Sequence, residues 1–328
     1  MATPHLQVTF EKDDEGVPGR RRPGTPPRGY HAAMSMTRRE LLAAAAGPLA
    51  LGSIRERDQS PGPALPAPRY TLSCNIELMF PREMPHAERI DRIAAQGFKA
   101  FSFWGAPGKD IPAMLRTQQR TGLACGSVTG NAGTGTTTGL TATGQEEAFL
   151  KDFLAHIDVA KRFGARNLIC FLGKVQPDVP LDVQHRQIVD GLRRAGDLAA
   201  KHDVYFCLEP LNSIQHPGIT ALTSKEAFGI IAEVDHPHVR VDFDMFHRQM
   251  SEGNVIANLR EGLRKGWIRF VEIGDVPGRL EPGTGEMNYV NIFRVLREEG
   301  FADYIGMEHG TSSTPEYAMH VVKILAGV

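Results

Sequence analysis

From Tyr70 to the C-terminus, short apolar runs alternate without a break with longer amphipathic stretches. Runs at 70–76, 98–103, 123–128, 166–172, 204–209, 239–244, 268–273 and 304–308 are strand-like. The stretches between them, such as 86–96, 146–163 and 183–202, carry the helical period. In 146–163, Phe149, Phe153, Ile157 and Ala160 recur at helical spacing with charges on the opposite side. Gly97, Gly122, Gly164 and Gly300 each stand where a helix gives way to the next strand, which predicts a C-cap role. Eight strands with intervening helices over roughly 250 residues match the size of a (β/α)8 barrel. The predicted fold class is therefore α/β, a TIM barrel spanning 69–328. A doubly wound open sheet shares this periodicity and stays open as a rival. No GxGxxG follows the first strand, which weakens a dinucleotide-binding form of that rival.

Two segments fall outside the alternation. The Gly/Thr-rich stretch 130–144 lacks the Gly-Lys-Ser/Thr ending of a phosphate loop, and reads either as a mobile βα loop over the barrel mouth or as a plain connector. At the N-terminus, residues 1–33 are rich in Pro, Gly and charge and predict a disordered tail or a mis-assigned start. Residues 34–54 contain Thr37-Arg38-Arg39-Glu40-Leu41-Leu42 followed by an apolar run to Leu51, which looks like a twin-arginine export signal. That run is too short for a stable membrane anchor. Residues 55–68 read as a Pro-rich linker. The expected location is the periplasm, reached through the twin-arginine export machinery, or the cytoplasm if the segment is not a working signal.

Composition narrows the classes further. The chain has 328 residues, 41% hydrophobic and 23% charged, with a formal net charge of −1. That suits one large domain and gives no basic face for nucleic acid; Arg20, Arg21 and Arg22 lie in the tail. Cys74, Cys125, Cys170 and Cys207 sit inside apolar runs without CxxC spacing, as small buried hydrophobes do. A homo-oligomer is neither required nor opposed by anything in the chain.

The chemistry lies at the ends of the last strands. Four of them close on a carboxylate: Glu209, Asp244, Glu272 and Glu308, 28 to 36 residues apart, about one strand-plus-helix unit each. In a closed parallel barrel these ends meet at one mouth. Four converging acids without matching cations imply a divalent metal, because packed anions are otherwise too costly. A metal beside carboxylates suits removal of a proton next to a carbonyl and its return to the neighbouring carbon.

The motifs LEPLN, DFDMFH, GDVPGRLEPGTGEMNY and IGMEHG closely resemble the hydroxypyruvate isomerase group of the xylose-isomerase-like TIM barrels, most strongly from residue 200 onward. The resemblance implies that Glu209 and Glu308 both bind the metal and form the acid/base pair, with Asp244 a further ligand. It places Glu272 where relatives usually carry His or Gln; the added anion favours Mg²⁺ or Mn²⁺. His247 matches the family's DxxH pattern as a substrate contact. Arg279 is a candidate clamp for a substrate carboxylate, with Asp275 to orient it. Glu286 reads as a pin for the loop before the next helix, while Asn212, His216 and Trp104 are candidates to face the cleft. The expected reaction is hydroxypyruvate to 2-hydroxy-3-oxopropanoate, or a related small hydroxycarbonyl or sugar substrate. A ketose 3-epimerase stays open on the same residues. An apurinic endonuclease needs zinc-binding histidines and a basic surface, and a non-catalytic sugar-binding barrel would not need the acid quartet.

Overall fold

A computed structural model describes residues 65–131 and 139–328, in which eight parallel strands close into a barrel in chain order. The strands are β1 (Thr71–Asn75), β2 (Ala100–Phe103), β3 (Ala124–Thr129), β4 (Asn167–Cys170), β5 (Tyr205–Leu208), β6 (Val239–Asp244), β7 (Ile268–Ile273) and β8 (Tyr304–Met307). Pairing of β1 with β8, Thr71 opposite Tyr304 and Cys74 opposite Met307, removes the open-sheet alternative, because no edge is left. The helices are α1 (His86–Ala95), α2 (Ile111–Thr121), α3 (Glu146–Phe163), α4 (Leu181–Lys201), α5 (Ser224–Val234), α6 (Met245–Ser251), α7 (Val255–Arg264), α8 (Tyr289–Glu298) and α9 (Pro315–Ala326). None of the described helices is long and apolar enough to cross a membrane. The readings of 1–33 and 34–54, and of the linker as far as residue 64, lie outside the described residues, as do 132–138 of the Gly/Thr-rich loop.

Side chains alternate faces along a strand, which divides the core in two. Leu168 and Cys170 of β4 join the large cluster between strands and helices, whereas Ile169, with Phe171, joins Cys207, Leu211 and Phe270 in a second cluster. The helical stripe of α3 packs as its spacing requires: Phe149, Phe153, Ile157, Ala160 and Phe163 are all buried. Phe153 meets Phe206 of β5 edge-on at 5.3 Å, and Phe163 meets Phe103 of β2 at 4.8 Å. Burying a phenyl ring of this kind stabilises by about 1.5–3 kcal/mol. All four cysteines are buried and free, and burial raises each thiol, so they behave as small hydrophobes.

Gly122 and Gly164 end α2 and α3 in the left-handed region, at φ 70° and 68°, and their N–H groups close the final turns. Gly97 and Gly300 stand one position later than expected, after the caps Gln96 and Glu299. The unit after β6 also departs from one helix per strand. Asp244, the last residue of β6, caps α6 directly by accepting from Phe246 N–H at 2.8 Å, and α7 follows. A strand-end acid thus sits at a helix N-terminus, where backbone N–H groups favour negative charge.

Candidate active site

The barrel brings the four strand-end acids together. One carboxylate oxygen from each of Glu209, Asp244, Glu272 and Glu308 lies within 4.8 Å of the others, and all four residues are buried. Strand register explains the convergence: Asp244 pairs with Glu272, Glu272 with Gly306, and Glu308 N–H reaches Ile273 carbonyl at 3.1 Å. Gly306 supplies the room, since a Cβ there would stand 2.9 Å from the Glu272 side chain.

Arg279 supplies the positive charge among them. Its Nη2 donates to Asp244 Oδ2 at 2.9 Å and to Glu308 Oε2, and its Nε donates to the Glu308 carbonyl at 3.3 Å. The guanidinium lies 4.8 Å over the Phe246 ring. Burial alone would lower its pKa, but Glu308 and Asp244 more than offset that and the pKa is raised. Arg279 holds φ at 50°, so the loop carries some backbone strain in aiming this side chain at the acids.

Contrary to expectation, the Asp275 side chain does not orient Arg279 for a substrate. Its Oδ1 accepts from Val276 and Met287 N–H, at 2.9 and 3.1 Å, and its Oδ2 from Gly283 and Gly285 N–H, at 2.8 and 3.0 Å. Four backbone donors saturate the carboxylate, so it organises the 275–287 loop from within. Asp275 bears on Arg279 through the main chain alone, its carbonyl accepting Arg279 N–H at 2.8 Å. Glu286 does not pin the next helix either: its side chain accepts from Gln249 at 3.1 Å, while Asn288 caps α8.

His247 is buried beside the cluster, its Nε2 3.4 Å from Glu209 Oε1 and 3.5 Å from Asp244 Oδ2. Asn212 backbone N–H donates to His247 Nδ1 at 3.2 Å, so Nδ1 is an acceptor and the ring proton rests on Nε2. The Asn212 side-chain amide, whose oxygen accepts from Gln215 N–H, reinforces this from 2.7 Å. Burial, then the positive charge of Arg279 and Arg248, pushes the imidazole pKa well down and keeps it neutral. In this tautomer His247 Nε2–H is a donor, and Glu209, Asp244 and His247 also lie close enough together to hold an ion. His216 lines the same cavity, its ring 5.7 Å from that of His247.

Three contacts were missed in the sequence. Trp104 is more than an apolar wall, for its indole Nε1–H donates to Glu308 Oε1, an oxygen that Asn75 Nδ2 also reaches at 3.3 Å. The third is Asp242, buried two residues before Asp244 and so on the same face of β6. No N–H or hydroxyl among the described residues reaches its oxygens, and the Glu272 carboxyl is close enough to bear on its titration. Burial, then Asp244, pushes the Asp242 pKa well up; burial, then Asp242, does the same for Glu272.

The balance of charge fits a divalent ion. Five buried acids face Arg279, and Glu209 Oε1, Glu272 Oε2 and both Asp242 oxygens lack donors. Burial, then repulsion from Glu308, raises Glu209 well above the usual carboxylate range. Burial also raises Glu308, with Arg279 opposing. An uncompensated buried carboxylate must take a proton or a cation. The donor set is all oxygen, which suits a hard ion such as Mg²⁺ or Mn²⁺. Glu209, Asp244, Glu272 and Glu308 are the residues placed to hold it.

Glu209, Glu272 and Glu308 open onto a cavity of about 570 Å³, walled on other sides by Phe103, Trp104 and Phe171. Several curated relatives are named as isomerases. The chain is 27% identical over 241 residues to hydroxypyruvate isomerase of Escherichia coli (strain K12), covering 74% of this chain and 84% of that protein. It is 27% identical over 242 residues to 2-oxo-tetronate isomerase of Haemophilus influenzae, covering 73% and 92%. Among solved structures, a family 2 AP endonuclease from Brucella melitensis superposes with a TM-score of 0.70 at 24% identity, covering 78% of this chain and 98% of that one. A 3-keto-D-glucoside 4-epimerase from E. coli gives 0.64 at 20% identity, covering 79% and 100%. These two show a shared fold. The likeness carried by the strand-end motifs extends over the barrel, for a family model described as xylose isomerase-like TIM barrel matches residues 90–326, and the chain belongs to that family.

Proposed function

We propose that the protein is a metal-assisted isomerase that moves a proton between adjacent carbons of a hydroxycarbonyl substrate, through an enediolate. The observation that carries this reading is the pair Glu209 and Glu308, buried together with Asp244 and Glu272 and lining the cavity. When bound among these four, a divalent cation would supply the positive charge that polarises the substrate carbonyl. One of the paired glutamates, ionised, takes the proton next to the carbonyl; the other, already protonated, gives its own proton to the neighbouring carbon, and the substrate's hydroxyl proton passes to the former carbonyl oxygen. The two are unequally held: Glu308 accepts from Asn75, Trp104 and Arg279, while Glu209 Oε1 has no donor. His247 Nε2–H donates to a substrate oxygen, and Trp104, Phe103 and Phe171 present ring faces to the same cavity.

Conversion of hydroxypyruvate to 2-hydroxy-3-oxopropanoate is the three-carbon case of this chemistry. A ketose 3-epimerase would use the same two carboxylates, and a cavity of about 570 Å³ has room for its longer substrate. Proton NMR of the product separates them, because epimerisation leaves the carbonyl in place. The test of the common step is solvent deuterium incorporation by metal-loaded protein. Glu209→Gln and Glu308→Gln should each lower it by about 10²–10⁴-fold while the barrel still folds and melts cooperatively. Full incorporation by both variants, on a substrate the parent protein turns over, would refute the assignment.

A further inference from the structure

We propose that Glu77, outside the described lining of the cavity, is a positioning residue for the proton-transfer pair: its carboxylate holds the main chain of Trp104 so that the indole reaches Glu308. The role of Glu308 in that pair rests on the isomerase reading of the site.

The need arises where one strand pairing ends. Between β1 and β2 the ladder runs as far as Ile76 N–H, which donates to the Ser102 carbonyl at 3.0 Å. Parallel strands space their bonds evenly, so the next rung would carry Trp104 N–H to the Ile76 carbonyl. That carbonyl accepts instead from Arg89 Nη1 at 2.7 Å. Arg89 is buried and donates also to the carbonyls of Met84, Pro81 and Arg82, at 2.9 Å each, so the chain between β1 and α1 is fixed around it.

Glu77 takes the place of the missing rung. Its Oε1 accepts Trp104 N–H at 2.9 Å. Lys109 completes the hold, its Nζ lying 3.1 Å from the same oxygen and donating to the Trp104 carbonyl at 2.7 Å. One ion pair thus engages both polar groups of the Trp104 main chain. Its side chains are only 11% and 7% exposed, so salt screens it little.

Trp104 depends on such a hold. It is the first residue after β2, is 44% exposed, and leads into a loop where Gly105 and Gly108 take φ of 49° and 75°. On its other side β2 shifts register against β3 between Phe101 and Phe103. The indole Nε1–H still donates to Glu308 Oε1. A half-exposed indole loses rotamer freedom in making that contact, and a backbone fixed in advance leaves less to be ordered. The main chain of Glu77 serves the second donor too. Its N–H donates to Asn75 Oδ1 at 2.8 Å, which turns Asn75 Nδ2 toward Glu308 Oε1, 3.3 Å away. Both donors on that oxygen therefore depend on one residue beyond the reacting carbons.

The test uses the Mg²⁺-loaded full chain labelled with ¹⁵N at its two tryptophans, Trp104 and Trp267. The Trp104 indole N–H line, identified by its loss in Trp104→Phe, should lie downfield of a free indole because it donates to a carboxylate. Glu77→Ala should move that line toward the free position. It should also lower solvent deuterium exchange about tenfold, the effect of losing one hydrogen bond to a charged group. Glu77→Gln keeps an oxygen for Trp104 N–H and should restore exchange to within about threefold of the parent. Added to Trp104→Phe, Glu77→Ala should lower exchange by less than about twofold more, because both changes act through one indole. Lys109→Met removes the other half of the hold and should displace the same line the same way, which reads the hold even if Glu77→Ala fails to fold. An indole line unmoved by these variants, or a loss from Glu77→Ala as large with Phe at 104 as with Trp, would overturn the role of Glu77. A displaced line in a protein that exchanges no hydroxycarbonyl compound would uphold the positioning of Trp104 and retire the isomerase reading alone.

Discussion

Replacing Glu272 by Gln changes a buried carboxyl into a neutral amide of the same shape at the centre of the acid cluster. Full charges at the 4.8 Å outer limit of that cluster repel by about 3.5 kcal/mol per pair at an effective dielectric of 20. Arg279 and bound protons relieve part of this in the metal-free protein, since burial and Asp242 push the Glu272 pKa well above 4.5. An acid whose folded pKa lies above its unfolded value holds a proton in the native state that the unfolded chain has released. Stability of the metal-free protein therefore falls as pH rises from about 4.5 toward the raised folded value. The amide of the Glu272→Gln variant cannot contribute to that slope, and its N–H₂ can donate to Asp242, whose oxygens lack other donors. The metal-free variant should be more stable than the parent at pH 8 by about 1–2 kcal/mol, or about 2–8 °C in Tm, with the gain vanishing near pH 4.5. Metal affinity should move the other way, falling at least about tenfold with the loss of a hard oxygen anion. Calorimetric melts with and without chelator at both pH values, together with Mn²⁺ titration, check both halves. A metal-free variant less stable than the parent at pH 8, or one binding Mn²⁺ equally well, would refute the account of the cluster.

Three other outcomes follow from the same structure. Asp275→Asn sets an amide N–H₂ against two of the four backbone donors now facing a carboxylate, and should cost about 3–5 kcal/mol, read as a drop in Tm and in kcat/KM together. Arg279→Lys keeps the charge but cannot reach Asp244 and both Glu308 groups from one planar fork; kcat/KM should fall about 10²-fold with a near-parental melt, and a change under threefold would remove Arg279 from the site. Phe153→Ala leaves a cavity between α3 and β5 and should lower Tm by about 10 °C without altering KM, as thermal melts and steady-state kinetics would show.

Much of this was readable from local pattern. The stripe Phe149, Phe153, Ile157 and Ala160 gave α3 its bounds, because helical burial repeats within one element. The spacing of Glu209, Asp244, Glu272 and Glu308 marked the site, because each strand–helix unit returns the chain to the same end of the barrel. Asp242 was readable too. In VRVDFD the two acids are two apart, and a strand must put both on one face, yet the run reads as apolar if the period is not applied to its charges. Asp275 was not readable in the same way. Its role depends on a Gly-rich loop folding back to present four amides, and nothing adjacent to an acid in sequence distinguishes that from a residue facing substrate.

The hardest part to read was the environment of Glu308, and the reason is topological. Asn75 and Trp104, which reach its Oε1, stand 233 and 204 residues away in the chain. They are neighbours only because β8 closes on β1, and an open sheet with the same strands and helices would leave them on opposite edges. Hydrophobic periodicity is satisfied equally by both arrangements, since each buries the same faces of the same elements. What separates them chemically is the state of this one carboxylate. In the closed barrel Glu308 accepts from Asn75 and Trp104 across the seam and from Arg279 on the β7 side, so its charge is supported where that of Glu209 is not. Ring closure therefore does more than complete the fold. It makes the two glutamates of the proposed proton-transfer pair unequal, and two carboxyls in unlike environments are what an acid and a base acting on adjacent carbons require.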